Sequence, residues 1–505
     1  MKKIIVSLSI LFLLGSCKED FLERYPLDSP SAETFWTSAE NAEMWVNNLY
    51  RSLPDESDSN IENWSDNAYC RTGENGRVIA NGTFQTNSAI IQNRWDYTYI
   101  RRCLEFFTKV DEIPNVSATV KNNLVGQVRF ILAFEYFKLI TLFRDVPLVT
   151  KPLLISESDL PKSPKAEVLA YLLDHLDKAI QELPATWPAS SNGRVTKGAA
   201  LALKARVLLY NGKWSEAAET ARQVMDSQVY SLHPKFGELF LKSFNNATKE
   251  VILARQYAAV VNQNELYRRY GFLGNGGYAY VLPLPDLANA FECTDGLPIQ
   301  ESPLYDPANP MANRDPRFAE TFVYPNQNLN GYLYDPFDRS NLSGSLTYLH
   351  YRKYINDMKP IETHTHVNWI ILRYADVLLM YAEAKNEASG PDATIYDALD
   401  QVRKRAGMPV VNRSKYNTQA ALRALIRNER RVELAAEGLR YFDIIRWKTA
   451  EVVLNKEVFS LEVKDKLPIR TLEKRIFDPK KHYVWPIPQL AIDRAKKLEQ
   501  HAEWK

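Results

Sequence analysis

Histidine and cysteine are scarce, with seven and four residues in a chain of 505. The cysteines are Cys17, Cys70, Cys103 and Cys293. No two stand in C-x-x-C spacing, so neither a zinc knuckle nor a disulfide framework is indicated, and one bridge is the most the last three allow. His364 and His366 form a close pair without a third ligand nearby in sequence, which reads as a solvated loop and not a metal site. Charge of one sign is also lacking. Lysine and arginine total 63 against 61 aspartates and glutamates, mixed along the chain, which excludes a nucleic-acid footprint. Beyond the first residues, no apolar run approaches the ~20 residues of a membrane-spanning helix. Gly274-Asn275-Gly276-Gly277 has no following lysine and no strand-helix frame, so it is a turn and not a phosphate loop. No cofactor is implied.

What is there begins at the N-terminus. Lys2 and Lys3 precede the apolar run Ile4 to Leu14, then come Gly15, Ser16 and Cys17. This is the layout of a secretory signal. Leu14-Gly15-Ser16-Cys17 looks like a lipobox, where the cysteine thiol takes a diacylglycerol. Residues 1–16 are therefore expected to be a signal peptide and Cys17 the lipidation site; the alternative is an ordinary secreted protein with a chance cysteine. Acyl chains contribute about 0.8 kcal/mol per buried CH₂, so several together hold a chain to a membrane by lipid alone.

Helical periodicity is strong in separate blocks. Leu124, Val128, Ile131, Phe134, Phe137, Leu139 and Leu142 recur at three- and four-residue steps and predict a helix over 119–143. Further helices are predicted at 165–183, at 197–210 behind Thr196 as N-cap, and at 214–227. The last two form a hairpin of tetratricopeptide type, with Ala205, Leu208, Gly212, Trp214, Ala217, Ala221 and Val224 at the positions that let two helices meet. A similar unit spans 372–407, and 418–437 predicts one more helix. Between Tyr230 and Asn368, Pro, Gly, Asn and Asp dominate, so turns and short strands such as 251–253 are expected. The fold class is mostly α: a tetratricopeptide-like superhelix over 119–229 and 369–447, carrying loop-rich regions at 51–94 and 230–368. Loops on a rigid support are where binding usually sits.

Several segments, in order, resemble the SusD-like, or RagB/SusD, family. They include Phe35-Trp36 with Val46-Asn47-Asn48-Leu49-Tyr50, and Phe143-Arg144-Asp145-Val146-Pro147-Leu148, where Arg144 stands in place of the usual glycine. Thr294-Asp295-Gly296, Arg314-Asp315-Pro316-Arg317-Phe318 and Leu372 to Leu379 come next. Val402-Arg403, Arg405-Ala406-Gly407, Glu429 to Leu434, Glu437 to Asp443, Arg446-Trp447 and Tyr483 to Pro488 complete the set. The chain ends Ala502-Glu503-Trp504-Lys505, where family members often carry a Gly-Tyr-type tail. The resemblance implies one intertwined domain over 17–505. It further implies a non-catalytic receptor that binds glycan and hands it to a SusC-like TonB-dependent transporter in the outer membrane. Lys18-Glu19-Asp20 resembles a surface-export signal of such lipoproteins. A same-fold receptor for peptides or another nutrient, and a glycoside hydrolase with two facing carboxylates, are the competing readings.

Sugar rings offer apolar C–H faces that flat aromatics cover, while amides, guanidiniums and carboxylates take the hydroxyls. Two aperiodic stretches suit this: Trp64, Asp66, Tyr69, Arg71, Asn75 and Arg77, and Tyr278 and Tyr280 beside the glycine-rich turn. Tyr332, Tyr334 and Tyr348 form a weaker third group. Trp95, Tyr99 and Cys103, at i, i+4 and i+8, read as core. Glu429, Glu433 and Glu437 align on one helical face with Arg427 and Arg431 beside them, which reads as structural i, i+4 ion pairing.

Overall fold

The computed structural model describes residues 35–505 except 72–73, 245–247, 274–275, 337–344, 360–361 and 464–465. The expected signal peptide, 1–16, and Cys17 lie outside the described residues.

Ten helices build the scaffold: α1 (Ala39–Leu49), α2 (Thr98–Lys109), α3 (Ala118–Phe143), α4 (Lys165–Glu182), α5 (Lys197–Tyr210), α6 (Trp214–Asp226), α7 (Tyr374–Ser389), α8 (Ala393–Arg405), α9 (Gln419–Glu433) and α10 (Arg440–Arg446). Their starts obey the expected capping chemistry. Ser117, Thr196, Asp392 and Thr418 each accept a backbone N–H of the first turn through a side-chain oxygen. α3 is buried on nearly every side from Leu124 onward, and α5 and α7 are likewise sheathed. A helix apolar all round belongs in the middle of a core. α3 packs along α4, α5 along α6 and α7 along α8, while α4 meets α5, α6 meets α7 and α7 meets α9. The pairs thus stack in sequence order, as expected of tetratricopeptide-like units. One hydrophobic cluster runs through them from Ala42 to Trp485.

Four short strands tie the loop-rich regions together and to the scaffold: β1 (Ala68–Cys70), β2 (Val251–Arg255), β3 (Val281–Pro283) and β4 (Trp369–Arg373). β2 and β4 are antiparallel, with Val251 opposite Arg373 and Arg255 opposite Trp369. The long excursion after α6 therefore leaves and returns through one ladder, and α7 packs on α6 despite the intervening residues.

Several expectations need correction. Leu372 and Arg373 belong to β4, not to a helix, and α9 ends at Glu433. Ala436 and Gly438, at φ of 64° and 73°, turn the chain so that Glu437 lies outside the helix. Trp95 precedes α2 instead of sharing its face with Tyr99. It is half-buried, edge-on to Phe143 at 4.9 Å.

The glutamates of α9 are structural, yet their partners come from far along the chain. Glu433 accepts from Arg373 at 2.6 Å, from Arg317 at 2.8 Å and from Arg405. Glu429 accepts from Arg317 and Arg403, and Glu437 from Arg373 and Lys353. Glu250, Glu292 and Asp315 complete the cluster through Arg405, Arg403 and Arg317. Arg427 and Arg431 go elsewhere: Arg427 lies over the Trp447 ring and Arg431 pairs with Asp66. Burial pushes the Glu433 carboxyl up, but Arg405, Arg373 and Arg317 overcome it and hold it well below the usual range. Glu250, Glu292, Asp315, Arg317 and Lys353 belong to the loop-rich region. The cluster therefore clamps that region to the scaffold.

Candidate functional site

The two stretches singled out for aromatic and polar content meet across one ladder. β1 and β3 are antiparallel, with Ala68 opposite Pro283, Tyr69 opposite Leu282 and Cys70 opposite Val281. Arg71 therefore leaves one strand where Tyr280 enters the other. The Asn63 amide donates to the Tyr280 carbonyl at 3.4 Å and the Leu284 N–H to the Asn67 carbonyl at 2.9 Å, extending the seam.

Tyr278 and Tyr280 stand edge-to-face, centroids 5.4 Å apart, and Tyr278 is 37% exposed. The Arg268 guanidinium lies 4.6 Å from the centre of the Tyr278 ring and donates to its hydroxyl at 2.9 Å. Glu265, one turn earlier on the short helix Leu266–Tyr270 and its cap, takes the other side of Arg268 at 2.6 Å. The same arrangement holds Arg268 more firmly charged, chiefly through the Glu265 carboxylate. The result is an exposed Tyr278 and a half-buried Tyr280, with one face of the Tyr278 ring covered by a guanidinium and a carboxylate beside it. It suits a ring ligand with apolar faces and hydroxyl rims.

The backbone beneath these tyrosines is closed tightly. Gly277 donates to the Phe272 carbonyl and Ala279 to that of Gly271, while the Tyr278 N–H reaches the Arg268 carbonyl. A Cβ on Gly277 would lie 2.1 Å from the Gly271 carbonyl oxygen, so no larger residue fits. Phe272 supports the loop from below, stacked on Tyr334 at 5.2 Å and on half-buried Tyr332 at 5.1 Å. Of the third group, Tyr332 thus borders the site, whereas Tyr334 and Tyr348 are fully buried.

Three residues of the first stretch fall elsewhere than expected. Trp64 is 1% exposed, packed on Tyr441 and Trp485 beneath Arg94. It ends a 3-10 segment, Glu56–Trp64, that lacks helical periodicity and is nevertheless core. Asp66 is buried between Arg440, at 2.8 Å, and Arg431, at 2.9 Å. Burial pushes its carboxyl up, and the two guanidiniums outweigh that and hold it below the usual range. Tyr69 is buried on Leu284 and Val458, with burial pushing its phenol up. The half-exposed Arg77 covers the Tyr69 ring at 4.8 Å and donates to Glu473 at 3.1 Å, where Arg475 binds the other carboxylate oxygen. Arg77 reaches the surface beside the ladder as a fixed cation. Arg71 is half-buried. Asn75 lies in the helix Glu74–Ala80, and its side chain is outside the described residues.

Glu265, Arg268, Phe272 and Glu473 were not foreseen from the sequence. The signal for the first two is the i, i+3 pair directly ahead of the glycine turn. Nothing local marks Glu473. Among the described residues, no group of three His, Cys, Asp or Glu side chains gathers as for a metal. Cys70, Cys103 and Cys293 are buried free thiols.

Comparison with known proteins places this geometry in a context. A family model described as the SusD family matches residues 249–504, and one described as starch-binding associating with outer membrane matches residues 21–209. SusD-like protein P25 of Formosa agariphila is 26% identical over 484 residues, covering 88% of this chain and 90% of the relative. A SusD-like carbohydrate binding protein from Bacteroides fragilis superposes with a TM-score of 0.84 at 30% identity, covering 92% of this chain and all of the other. A laminarin binding SusD-like protein superposes at 0.71 with 22% identity, covering 92% and 99%.

Proposed function

The chain belongs to the SusD family, and from that premise we propose that it is a non-catalytic, glycan-binding lipoprotein of the outer-membrane surface. It captures oligo- or polysaccharide and delivers it to a SusC-like TonB-dependent transporter, and lipid on Cys17 keeps it beside that partner at high effective concentration. The observation that carries the reading is the pair of exposed Tyr278 and half-buried Tyr280, joined by Arg268 and Glu265 and set beside Arg71 by the β1–β3 ladder. The carbohydrate-binding relatives support it, as does the match to a family described by starch binding at the outer membrane. A hydrolase needs a general acid and a second carboxylate poised across the sugar. Glu265, which edges this pair, is held by Arg268, and Glu473 is held by Arg77 and Arg475, which supports binding without bond cleavage. Among the described residues no helix is long and apolar enough to cross a membrane.

The test is calorimetric titration of the mature chain without its lipid against a glycan panel and a peptide panel, paired with a sugar-release assay. Glycan binding that falls at least about tenfold in Tyr278→Ala, at unchanged melting temperature, is the expected outcome. Peptide binding in place of glycan binding, or sugar release abolished by one Asp or Glu substitution, overturns it.

A further inference from the structure

A cavity of about 380 Å³ opens where α3 and α5 end, walled by α10 and the 479–484 segment. Its cationic lining is Arg144, Lys165, Arg446, Lys448, Lys480 and Lys481, against a single carboxylate, Glu503. Two of these cations are already committed. Arg446 is held by Glu383 and Asp443, and Arg144 by Glu503 and Asp145. Among the described residues, none of the four lysines forms an ion pair with a carboxylate. Asp145 and Glu451 act on Lys165 and Lys448 from beyond ion-pair distance. The Lys448 ammonium sits 3.9 Å over the Tyr483 ring and that of Lys481 lies 4.1 Å over Trp504.

Helix ends account for only part of this charge. The C-terminal ends of α3 and α10 favour Arg144, Arg446 and Lys448, whereas Lys165 opens α4, the end where a helix carries its partial positive charge, so the dipole opposes its cation. Burial pushes the Lys165 ammonium down, and Lys448 adds to it; burial does the same to Lys448, with Arg144 adding its repulsion. Lys448 moreover has φ of 56° and Arg144 φ of 63°, in the left-handed region that non-glycine residues adopt at a cost of roughly 1–2 kcal/mol. Strain of this kind persists where surrounding structure enforces it and clusters at ligand sites. Tyr210, Phe442 and Tyr483 supply flat apolar walls.

We infer that this cavity is an oxyanion site, in which Lys165 and Lys448, seconded by Lys480 and Lys481, receive a carboxylate, sulfate or phosphate group. Lysines act here as point charges, so the site reads charge more than planar geometry. It is independent of the Tyr278 face and of the glycan reading.

The experiment is calorimetric titration of the mature chain at low ionic strength with glucuronate, inorganic sulfate and inorganic phosphate as separate arms, and glucose as neutral control. At least one oxyanion binds, weakens as salt screens the charge, and loses about tenfold or more in affinity in a Lys165→Gln, Lys448→Gln double variant; the arm that binds identifies the source of the group. Lys448→Arg, which keeps the charge, retains binding and guards against a folding defect in the double variant. No binding in any arm, equal binding of glucose, or affinity unchanged in the double variant overturns the assignment.

Discussion

Arg144 and Glu503 form a two-point pair, with Nη1 donating to Oε1 at 2.6 Å and Nη2 to Oε2 at 3.2 Å. Arg144 caps the end of α3 and Glu503 lies in the last residues described. Position 144 is left-handed, which glycine adopts freely and arginine does not. The Glu503 carboxylate holds the arginine in place.

This pair carries an acid-side signature. The hydrogen bond from Arg144 lowers the Glu503 carboxyl from its ordinary value to about 2. A carboxyl depressed on folding adds stability above its unfolded pKa, and that stability is lost as pH falls toward the folded value. The loss therefore falls between about pH 4.5 and 2. Both side chains are partly exposed, so the contribution is about 1 kcal/mol or less. Glu503→Gln should flatten that window in denaturant titrations run over a pH series. Arg144→Gly relieves ~1 kcal/mol of left-handed strain while forfeiting the pair, and should come out near neutral.

Glu62 has the opposite sign. It is buried, accepts the Gly438 N–H at 2.8 Å and the Asn67 amide at 3.2 Å, and burial raises its carboxyl to about 7. Its folded state holds the proton more tightly than its unfolded state, so its charging costs stability as pH rises from about 4.5 to 7. Glu62→Gln removes the charge but leaves one acceptor oxygen for two donors, so either the Gly438 N–H or the Asn67 amide loses its partner. The variant's stability relative to the parent should therefore be more favourable at pH 8 than at pH 4, as read by chemical denaturation.

Breaking the central cluster should be severe. Glu433→Gln removes the charge that Arg317, Arg373 and Arg405 share, and leaving buried charges uncompensated costs about 3–5 kcal/mol. Because the cluster joins the loop-rich region to α9, the loss should also raise proteolysis within 230–368. A fall in unfolding midpoint without new cleavage there would separate stability from clamping.

Two substitutions distinguish site from core. Trp64→Ala empties a sealed position between Tyr441 and Trp485 and should cost about 3–5 kcal/mol in unfolding free energy. Gly277→Ala forces the turn apart at the Gly271 carbonyl, beside buried Phe272, without emptying a large core position. It should reduce glycan affinity about tenfold, with a much smaller change in melting temperature, as measured by calorimetry alongside thermal denaturation.

The scaffold was largely legible because 3.6-residue periodicity and side-chain caps are local. Thr196 and the apolar steps of α3 marked elements that the structure bounds within a residue or two, and Thr418 marked a start whose helix ends early, at Glu433. The candidate site was legible in part, since Tyr278 and Tyr280 stand out in the sequence beside a glycine-rich turn. Trp64 and Asp66 were misplaced because a buried 3-10 and extended segment lacks a helical period and so resembles a loop. The spacing of Glu429 and Glu433 showed one face but could not name Arg317, Arg373 or Arg405, whose proximity is a property of the fold alone. Glu473 and the β1–β3 register were invisible for that reason.

The β2–β4 ladder has an evolutionary consequence. By returning the chain to its point of departure, it frees the helix stack from the length and composition of what lies between, so exposed positions such as Tyr278 can be rewritten without altering how α6 meets α7. The freedom stops at Glu250, Arg317 and Lys353, whose buried charges are answered by Arg373 and Arg405, by Glu429 and by Glu437. Such a division lets ligand preference diversify among descendants while the framework that presents it stays the same.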